Sequence, residues 1–224
     1  MPKFTPTIIL DEPCARLRDE VTAFGPVFIF KPSRGFLSSP IAAAEELPAM
    51  LATAGMKPPY VFVAASFGGF AALAFAARNP GALAGMVLAD ASHPEQSVAA
   101  LAAIPADTPL TPTVTAFKRT LQGFGPVWTE SCAAIAKIHD FADLPLIVLA
   151  AGTPDMPDEL PSETRASLTR SWHALQRKHA ARSTRGELRI VEGAGHDLVR
   201  LAPQSVLTAI RELVLPAVAG ALSP

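Results

Sequence analysis

Serine, histidine and aspartate are the three residue types needed for acyl transfer, and in this sequence they follow predicted strands: Ser66, Asp90, Asp155 and His196. A serine hydroxyl is a weak nucleophile until a base removes its proton, and an acid must hold that base in one tautomer. In the stretch PPYVFVAASFGG, Ser66 separates a Val- and Phe-rich run from an Ala-rich run. This order predicts a strand, a sharp turn and a helix, with the serine on the turn. The backbone N–H of Phe67 would then point towards an oxyanion forming beside the serine.

His196 is the strongest candidate for the base among the histidines. It lies in a glycine-rich loop after the last predicted strand, and such a backbone can carry an imidazole over the edge of a sheet. His173 and His179 lie in a charged helical segment and are predicted to be solvated. His139 belongs to a segment without strands, and His93 precedes a proline in a turn.

Six short apolar runs separated by helical patterns predict a mostly parallel sheet with helices on both faces. The predicted strands span 5–11, 26–30, 60–65, 82–90, 144–151 and 187–191. Reactive groups in such a sheet gather at the carboxyl ends of the strands. Segment 95–141 has no strand pattern and is predicted to be a helical cap inserted into a single domain that spans 1–224. Four apolar residues of the cap are candidates to face a substrate cleft, although core packing is the commoner role: Phe117, Phe124, Trp128 and Ile135.

The composition indicates a globular protein that acts on a small molecule. The 224 residues are 50% hydrophobic and 17% charged, and the 22 prolines are spread along the chain. A net charge of −1 offers no basic face for nucleic acid or anionic lipid. The two cysteines, Cys14 and Cys132, lack metal-ligand spacing and are predicted to be free thiols in a reducing compartment. We therefore expect no cofactor and no metal.

The N-terminal segment 1–20 has no pattern of a secretion signal, which favours a cytoplasmic protein. The uncharged run 58–77 has the length of a membrane span. Its adjacent glycines, Gly68 and Gly69, and its change from a Val/Phe-rich to an Ala-rich pattern make a strand and a buried helix the preferred interpretation. The oligomeric state, a homodimer included, is left open.

Three stretches together resemble the α/β-hydrolase superfamily of serine hydrolases, in a shortened form. They are YVFVAASFGGFAALAFAARNP, GMVLADASHPEQ and RIVEGAGHDLVRLAPQSVLTAIREL. The resemblance runs over nearly the whole chain. It implies a three-layer α/β/α fold with a mostly parallel sheet of about six strands and an active-site pocket under a helical cap. Members of the family usually begin with two further strands, so this chain would start at the family's third strand.

The resemblance leaves two candidates for the acid of a catalytic triad. Many members carry the acid after the strand before the histidine, where the turn Gly152–Asp155 stands in this sequence. Other branches carry it directly after the strand that follows the nucleophile helix, where this sequence has Asp90. We favour Asp90 because a whole predicted helix separates Asp155 from His196 and because nearby prolines indicate a displaced loop. Asp155 remains the alternative acid.

The segment that would complete the oxyanion hole departs from the family pattern. Relatives carry a His-Gly pair after their third strand, whereas this chain has Glu12-Pro13 followed by Cys14. Proline has no N–H, so the second donor beside Phe67 would have to be Cys14. Loss of one donor costs about two to three powers of ten in turnover, and an ionised Glu12 would oppose a developing negative charge. Ala65 also replaces the aromatic residue or histidine that commonly precedes the nucleophile.

The sequence therefore predicts a cofactor-independent serine esterase that cleaves a small carboxylic ester or a related acyl compound. Ser66 would form an acyl-enzyme, His196 would act as base and then as acid, and Asp90 or Asp155 would orient it. Acyl transfer, lactone hydrolysis and cofactor-free haloperoxidation would use the same residues. The alternative, motivated by the altered segment Glu12-Pro13, is a non-catalytic protein of this fold that binds a ligand or partner in the same pocket.

Overall fold

A computed structural model of the chain describes residues 6–35, 39–122 and 125–220. The apolar runs form six strands: β1 (Thr7–Asp11), β2 (Val27–Phe30), β3 (Tyr60–Ala65), β4 (Leu83–Ala89), β5 (Leu146–Ala151) and β6 (Gly186–Val191). They pair in parallel into one sheet of order β2-β1-β3-β4-β5-β6. The predicted strands and the predicted fold class are confirmed. The predicted start of the first strand, at residue 5, lies outside the described residues.

Helices cover both faces of this sheet. They are α1 (Arg18–Val21), α2 (Pro40–Thr53), α3 (Gly68–Arg78), α4 (Gln96–Ala103), α5 (Pro112–Gln122), α6 (Gly125–Ile135), α7 (Ser162–Ala180), α8 (Leu198–Leu201) and α9 (Pro203–Gly220). A short 3-10 helix, Pro13–Leu17, joins β1 to α1. Strands buried on both faces need apolar side chains at successive positions, which explains why the fully buried strands β1, β3 and β5 are almost continuous apolar runs.

The core consists of two apolar layers, one on each face of the sheet. Successive strand residues point to opposite faces, so Ile9 packs in one layer while Ile8 and Leu10 pack in the other. The first layer includes Leu47 of α2 and Phe70 of α3, and buried residues of α9 such as Ile210 belong to the second. Both layers fix the carboxyl ends of β3, β4 and β6, where the candidate catalytic residues follow.

Three helices, α4 to α6, occupy the segment between β4 and β5. Trp128 of α6 stacks on Phe70 of α3, with ring centroids 5.4 Å apart, and Ile135 is buried in the first core layer. Phe124 lies outside the described residues. The division of the chain into one domain, 1–224, with a cap at 95–141 stays a prediction.

Run 58–77, which has the length of a membrane span, contains β3 and most of α3. Among the described residues, we find no helix that is both long enough and apolar enough to cross a membrane.

Candidate active site

Ser66 lies on a tight turn between β3 and α3, with a φ of 49° in the left-handed region. Within the turn, the Gly69 N–H donates to the Ser66 carbonyl at 3.1 Å, and the Ser66 N–H donates to the carbonyl of Ala89 on β4 at 3.2 Å. Glycine is required at position 68, because a Cβ there would overlap the carboxylate of Asp11. Close packing between α3 and the end of β1 therefore explains the glycine at position 68. Ser66 itself is held in a strained backbone conformation.

Ser66, His196 and Asp90 form a continuous hydrogen-bonded chain. His196 follows β6, and its Nε2 lies 2.9 Å from Ser66 Oγ. Its Nδ1 lies 2.6 Å from Oδ2 of Asp90, which follows β4 and is 1% exposed. With the ring proton on Nδ1, that N–H donates to the carboxylate while Nε2 accepts from the serine hydroxyl. This arrangement can remove the serine proton and keep the imidazole in one orientation.

Two further donors fix the Asp90 carboxylate. The backbone N–H of Ala151, at the end of β5, donates to Oδ1 at 2.8 Å, and the indole N–H of Trp172 donates to the same oxygen at 2.7 Å. Sequence reasoning missed Trp172. Its only signal was a large aromatic residue inside the charged segment that becomes α7.

Asp155 contacts the backbone of His196 rather than its ring. Its Oδ1 accepts from the His196 N–H at 3.3 Å. Asp155 therefore lies against the histidine loop. The Nδ1 atom of the His196 ring is bound by Asp90 instead.

The pKa of His196 is raised above its usual 6.5, chiefly by the hydrogen bond to Asp90 and further by the negative charges of Asp90, Asp155 and Asp197. Partial burial of the ring lowers the pKa and offsets part of this rise. An imidazole must be neutral to accept a proton, so this base is fully available only at a pH above its raised pKa.

A second buried carboxylate, Asp11, lies on the other side of Ser66. It is fully buried, and it accepts from the backbone N–H of Cys14 at 3.0 Å and from that of Ala65 at 2.7 Å. Burial raises its pKa to about 6, and the hydrogen bonds from Cys14 and Ala65 partly offset this rise. Asp11 thus joins the turn after β1 to the strand that carries the serine.

The Cys14 N–H, predicted from the sequence as the second oxyanion donor, donates to Asp11 at 3.0 Å in this structure. The Glu12 carboxylate does not face the serine either. It is exposed and pairs with Lys31 at 3.0 Å. The Phe67 N–H, at the start of α3, has no acceptor among the residues that the structure describes. Phe67 remains the candidate oxyanion donor.

A cavity of about 270 Å³ opens beside the serine. It is lined by Ser66, Phe67, Ser92, Gln96, Trp128, Trp172 and His196. A neighbouring cavity of about 280 Å³ shares Gln96, Trp172 and His196 with it and is otherwise mainly apolar, with Phe117 and Leu121 in its wall. A larger cavity of about 650 Å³ includes Leu83 and Pro145 in its wall, at the amino ends of β4 and β5 and away from Ser66. Chemistry at a parallel sheet belongs to the opposite ends of the strands.

The prediction that His179 is solvated is wrong. Its ring is fully buried, its Nε2 lies 2.9 Å from the Ser92 carbonyl, and it packs on His93 with ring centroids 4.7 Å apart. His173 is half-buried, with its Nε2 2.9 Å from the Ala151 carbonyl. Both rings lie on the side of α7 that packs on the sheet, while the charged residues of the helix face solvent.

Among the described residues, no group of three or more His, Cys, Asp or Glu side chains is arranged to hold a metal ion. Cys14 and Cys132 are free thiols, the first buried and the second half-buried.

Solved structures of other proteins share this fold at low sequence identity. A thermophilic esterase from Thermogutta terrifontis is 17% identical, with a TM-score of 0.55 over 96% of this chain and 91% of that one. An α/β hydrolase fold protein from Burkholderia ambifaria is 14% identical, with a TM-score of 0.58 over 93% and 90%. Est816, described as degrading N-acyl homoserine lactones, is 15% identical, with a TM-score of 0.55 over 93% of each chain. No curated protein matches the sequence significantly.

The sequence model of the α/β hydrolase family matches residues 22–209, which is most of the chain. The matched residues contain Ser66, Asp90 and His196 and leave out the altered segment 11–14. The resemblance noted in the sequence is thus confirmed, and the protein belongs to the α/β hydrolase family.

Proposed function

We propose that this protein is a serine hydrolase that cleaves a small carboxylic ester through an acyl-enzyme on Ser66. One observation carries the proposal: Ser66 Oγ lies 2.9 Å from His196 Nε2, and His196 Nδ1 lies 2.6 Å from Asp90 Oδ2. A nucleophile within hydrogen-bond reach of a base, which is itself oriented by a carboxylate, is the arrangement that acyl transfer requires.

In the proposed mechanism, Ser66 Oγ attacks the ester carbonyl while its proton moves to His196 Nε2. Asp90 stabilises the resulting imidazolium, and His196 then gives the proton to the leaving alcohol as the C–O bond breaks. A water molecule repeats the sequence and releases the acid. Asp90 is preferred to Asp155 as the triad acid because it contacts the ring, whereas Asp155 contacts only the backbone of His196.

Two donors are proposed for the oxyanion: the Phe67 N–H and the side-chain amide of Gln96. Gln96 lines the same cavity as Ser66, and its Oε1 accepts from the His93 N–H at 2.9 Å. This contact fixes the orientation of the amide. Within the described part of the chain, its NH2 group remains free to donate to a ligand in the cavity. Gln96 would compensate for Cys14, whose N–H is bound to Asp11.

The proposed substrate is small and partly apolar. The serine cavity measures about 270 Å³ and has the tryptophans Trp128 and Trp172 in its walls. The adjoining cavity of about 280 Å³ offers an apolar surface for a short hydrocarbon group. The esterase of Thermogutta terrifontis is a precedent for this chemistry on this fold. A net charge of −1 and two free cysteines support a cytoplasmic protein with a small-molecule partner and no nucleic acid.

The second candidate function is ligand binding without catalysis. It is favoured by the hydrogen bond from the Cys14 N–H to Asp11. Because that N–H is used there, Phe67 is the candidate backbone donor for an oxyanion.

Covalent labelling by a fluorophosphonate separates the two functions. We expect intact-mass spectrometry to show one adduct on the wild type and none on Ser66→Ala. Ser92→Ala is the matched control, because Ser92 lines the same cavity and should leave labelling unchanged. A folded wild-type protein that takes up no label, and that does not turn over p-nitrophenyl acetate, would instead support the binding function.

A further inference from the structure

A separate cleft of about 250 Å³ lies between the segment after β4 and the end of α7. It is lined by His93, Pro94, Glu95, Ala136, His139, Lys178, Ala181 and Arg182. It shares no lining residue with the serine cavity, so ester hydrolysis does not explain its charged side chains.

Arg182 is the unusual residue of this cleft. It is only 8% exposed, and its Nε is buried without a hydrogen-bond partner. Within the described ranges, the guanidinium makes neither a hydrogen bond nor an ion pair. Burial pulls its pKa below the usual value, which reflects the cost of removing this charge from water. A buried guanidinium offers five N–H donors in a planar fork, and here an acceptor is missing.

Two other nitrogen-bearing side chains of the cleft, Lys178 and His139, are more exposed than Arg182. Lys178 Nζ lies 2.6 Å from Glu95 Oε2, so these two charges largely cancel. His139 is exposed at the rim. Glu95 is the one carboxylate among the lining residues, and its charge also acts on Arg182. The interior of the cleft therefore keeps an excess positive charge at Arg182.

His93 supplies a neutral donor beside that charge. Its Nδ1 accepts from the Glu95 N–H at 3.1 Å, which leaves the ring proton on Nε2. Burial lowers the pKa of His93 to about 4 against the raising effect of Glu95, so the ring is uncharged at neutral pH. The cleft thus combines one buried cation with an uncharged imidazole in its wall, which leaves the positive charge of Arg182 to attract an anion.

We propose that this cleft binds a small oxyanion, of the phosphate or carboxylate class, with Arg182 as its principal ligand. A guanidinium can donate to two oxygens of either group at once, and the terminal nitrogens of Arg182 have no protein acceptor among the described residues, so they are the groups left to bind an ion. The site is independent of the proposed ester hydrolysis.

The first test compares thermal unfolding of the wild type and Arg182→Met in phosphate, in acetate and in sodium chloride at equal ionic strength. Phosphate or acetate should raise the wild-type midpoint above that in chloride by about 2 to 4 °C, and whichever ion does so identifies the class. Arg182→Met should show no such rise and should unfold at a higher temperature than the wild type in chloride, because the uncompensated charge is gone. An equal rise in both proteins overturns the proposal.

A second variant keeps the test decisive if Arg182→Met fails to fold. Glu95→Gln removes the exposed carboxylate that opposes an anion, and it should lower the Kd for inorganic phosphate by roughly threefold to tenfold. The Kd is measured from the ring signals of His93 and His139 in an NMR titration of a chain with 5 histidines. Ring signals that do not respond to phosphate or acetate in either the wild type or Glu95→Gln contradict the proposal.

Discussion

The two sides of Ser66 are built around buried aspartates in equivalent positions, yet they do different things. Asp90 follows β4 and binds the His196 ring, the Ala151 N–H and the Trp172 indole. Asp11 ends β1 and binds the backbone N–H groups of Cys14 and Ala65 and the Cys14 thiol, with no catalytic ring among its described partners.

The difference lies in what each carboxylate can control. On the base side, Asp90 acts through a titratable ring that reaches the serine. On the oxyanion side, Asp11 braces the serine turn and in doing so uses the N–H that an oxyanion hole would need. The family match covers the first side and begins after the second. If Ser66 and His196 act as proposed, the nucleophile and base lie on the side that resembles the family, and the opposite wall serves as a support for the serine turn.

The largest effect should come from Asp90→Asn. An amide at this position cannot stabilise the imidazolium, so we expect kcat for p-nitrophenyl acetate to fall by about four powers of ten. Asp155→Asn is the matched control, because Asp155 contacts only the backbone of His196. It should change kcat by less than about threefold, since the amide oxygen can still accept from the His196 N–H and only a negative charge away from the ring is lost.

An Asp155→Asn variant that loses as much activity as Asp90→Asn would reverse the assignment of the acid.

The next effect concerns stability rather than turnover. The pKa of Asp11 is about 6 in the folded protein and is ordinarily 3.8, so the folded state binds this proton more tightly. The stabilisation is therefore present below about pH 4 and is lost as pH rises through about 6, and it amounts to about 3 kcal/mol. Urea unfolding between pH 4 and 8 should show this loss in the wild type and not in Asp11→Asn.

Asp19→Asn removes an exposed carboxylate of α1 and should keep the wild-type dependence. A constant difference between the wild type and Asp11→Asn across this range would show that Asp11 does not titrate with a raised pKa.

Replacement of Gln96 tests how the oxyanion side works without Cys14. Gln96→Met keeps the length of the side chain and removes its N–H donors, so kcat should fall about a hundredfold with little change in KM. Ser97→Ala, one residue along α4, should have no effect because Ser97 does not line the serine cavity. An unchanged kcat in Gln96→Met would leave Phe67 as the sole proposed donor.

The smallest effect should come from Trp172→Phe, which keeps an aromatic ring and removes one donor to Asp90. The negative charge of the carboxylate is then compensated by one donor fewer and attracts the imidazolium more strongly, so the pKa of His196 rises further. We expect kcat/KM to fall about tenfold at neutral pH. The pKa of His196 is already raised above its usual 6.5 in the wild type. The acidic limb of the pH profile of kcat/KM should therefore move to still higher pH in the variant.

Trp128→Phe removes the other indole of the cavity and should leave that limb in place. In an Asp90→Asn background, Trp172→Phe should cause no further loss. A further tenfold loss there would mean that Trp172 acts on substrate rather than on Asp90.

The sequence predicted the strands, the serine turn and the histidine loop because each depends on local pattern. Apolar runs define the strands, and small residues around Ser66 define the turn. Which of the carboxylates, Asp90 or Asp155, contacts the His196 ring depends instead on how α7 packs over the sheet. No local sequence pattern predicts that packing. The burial of His179 was partly readable, since Leu168, Leu175 and His179 recur at helical spacing.

The contact between Asp11 and Cys14 also had a local signal. An aspartate just before a short helix commonly accepts from the backbone N–H three residues further along, and here Asp11, two residues before Pro13–Leu17, accepts from Cys14. The reach of Asp11 to Ala65 across the sheet had no such signal, because strand register decides it. The pairing of distant strands therefore determines that Asp11 reaches the strand that carries Ser66.

The chain has 2 tryptophans, and both line the serine cavity. Tryptophan fluorescence, excited at wavelengths where the single tyrosine, Tyr60, does not absorb, therefore originates at this one place, and one of the two indoles donates its N–H to Asp90. A substrate, an inhibitor or an acyl group entering the cavity should change the emission without any attached dye. The protein carries its own optical probe of occupancy.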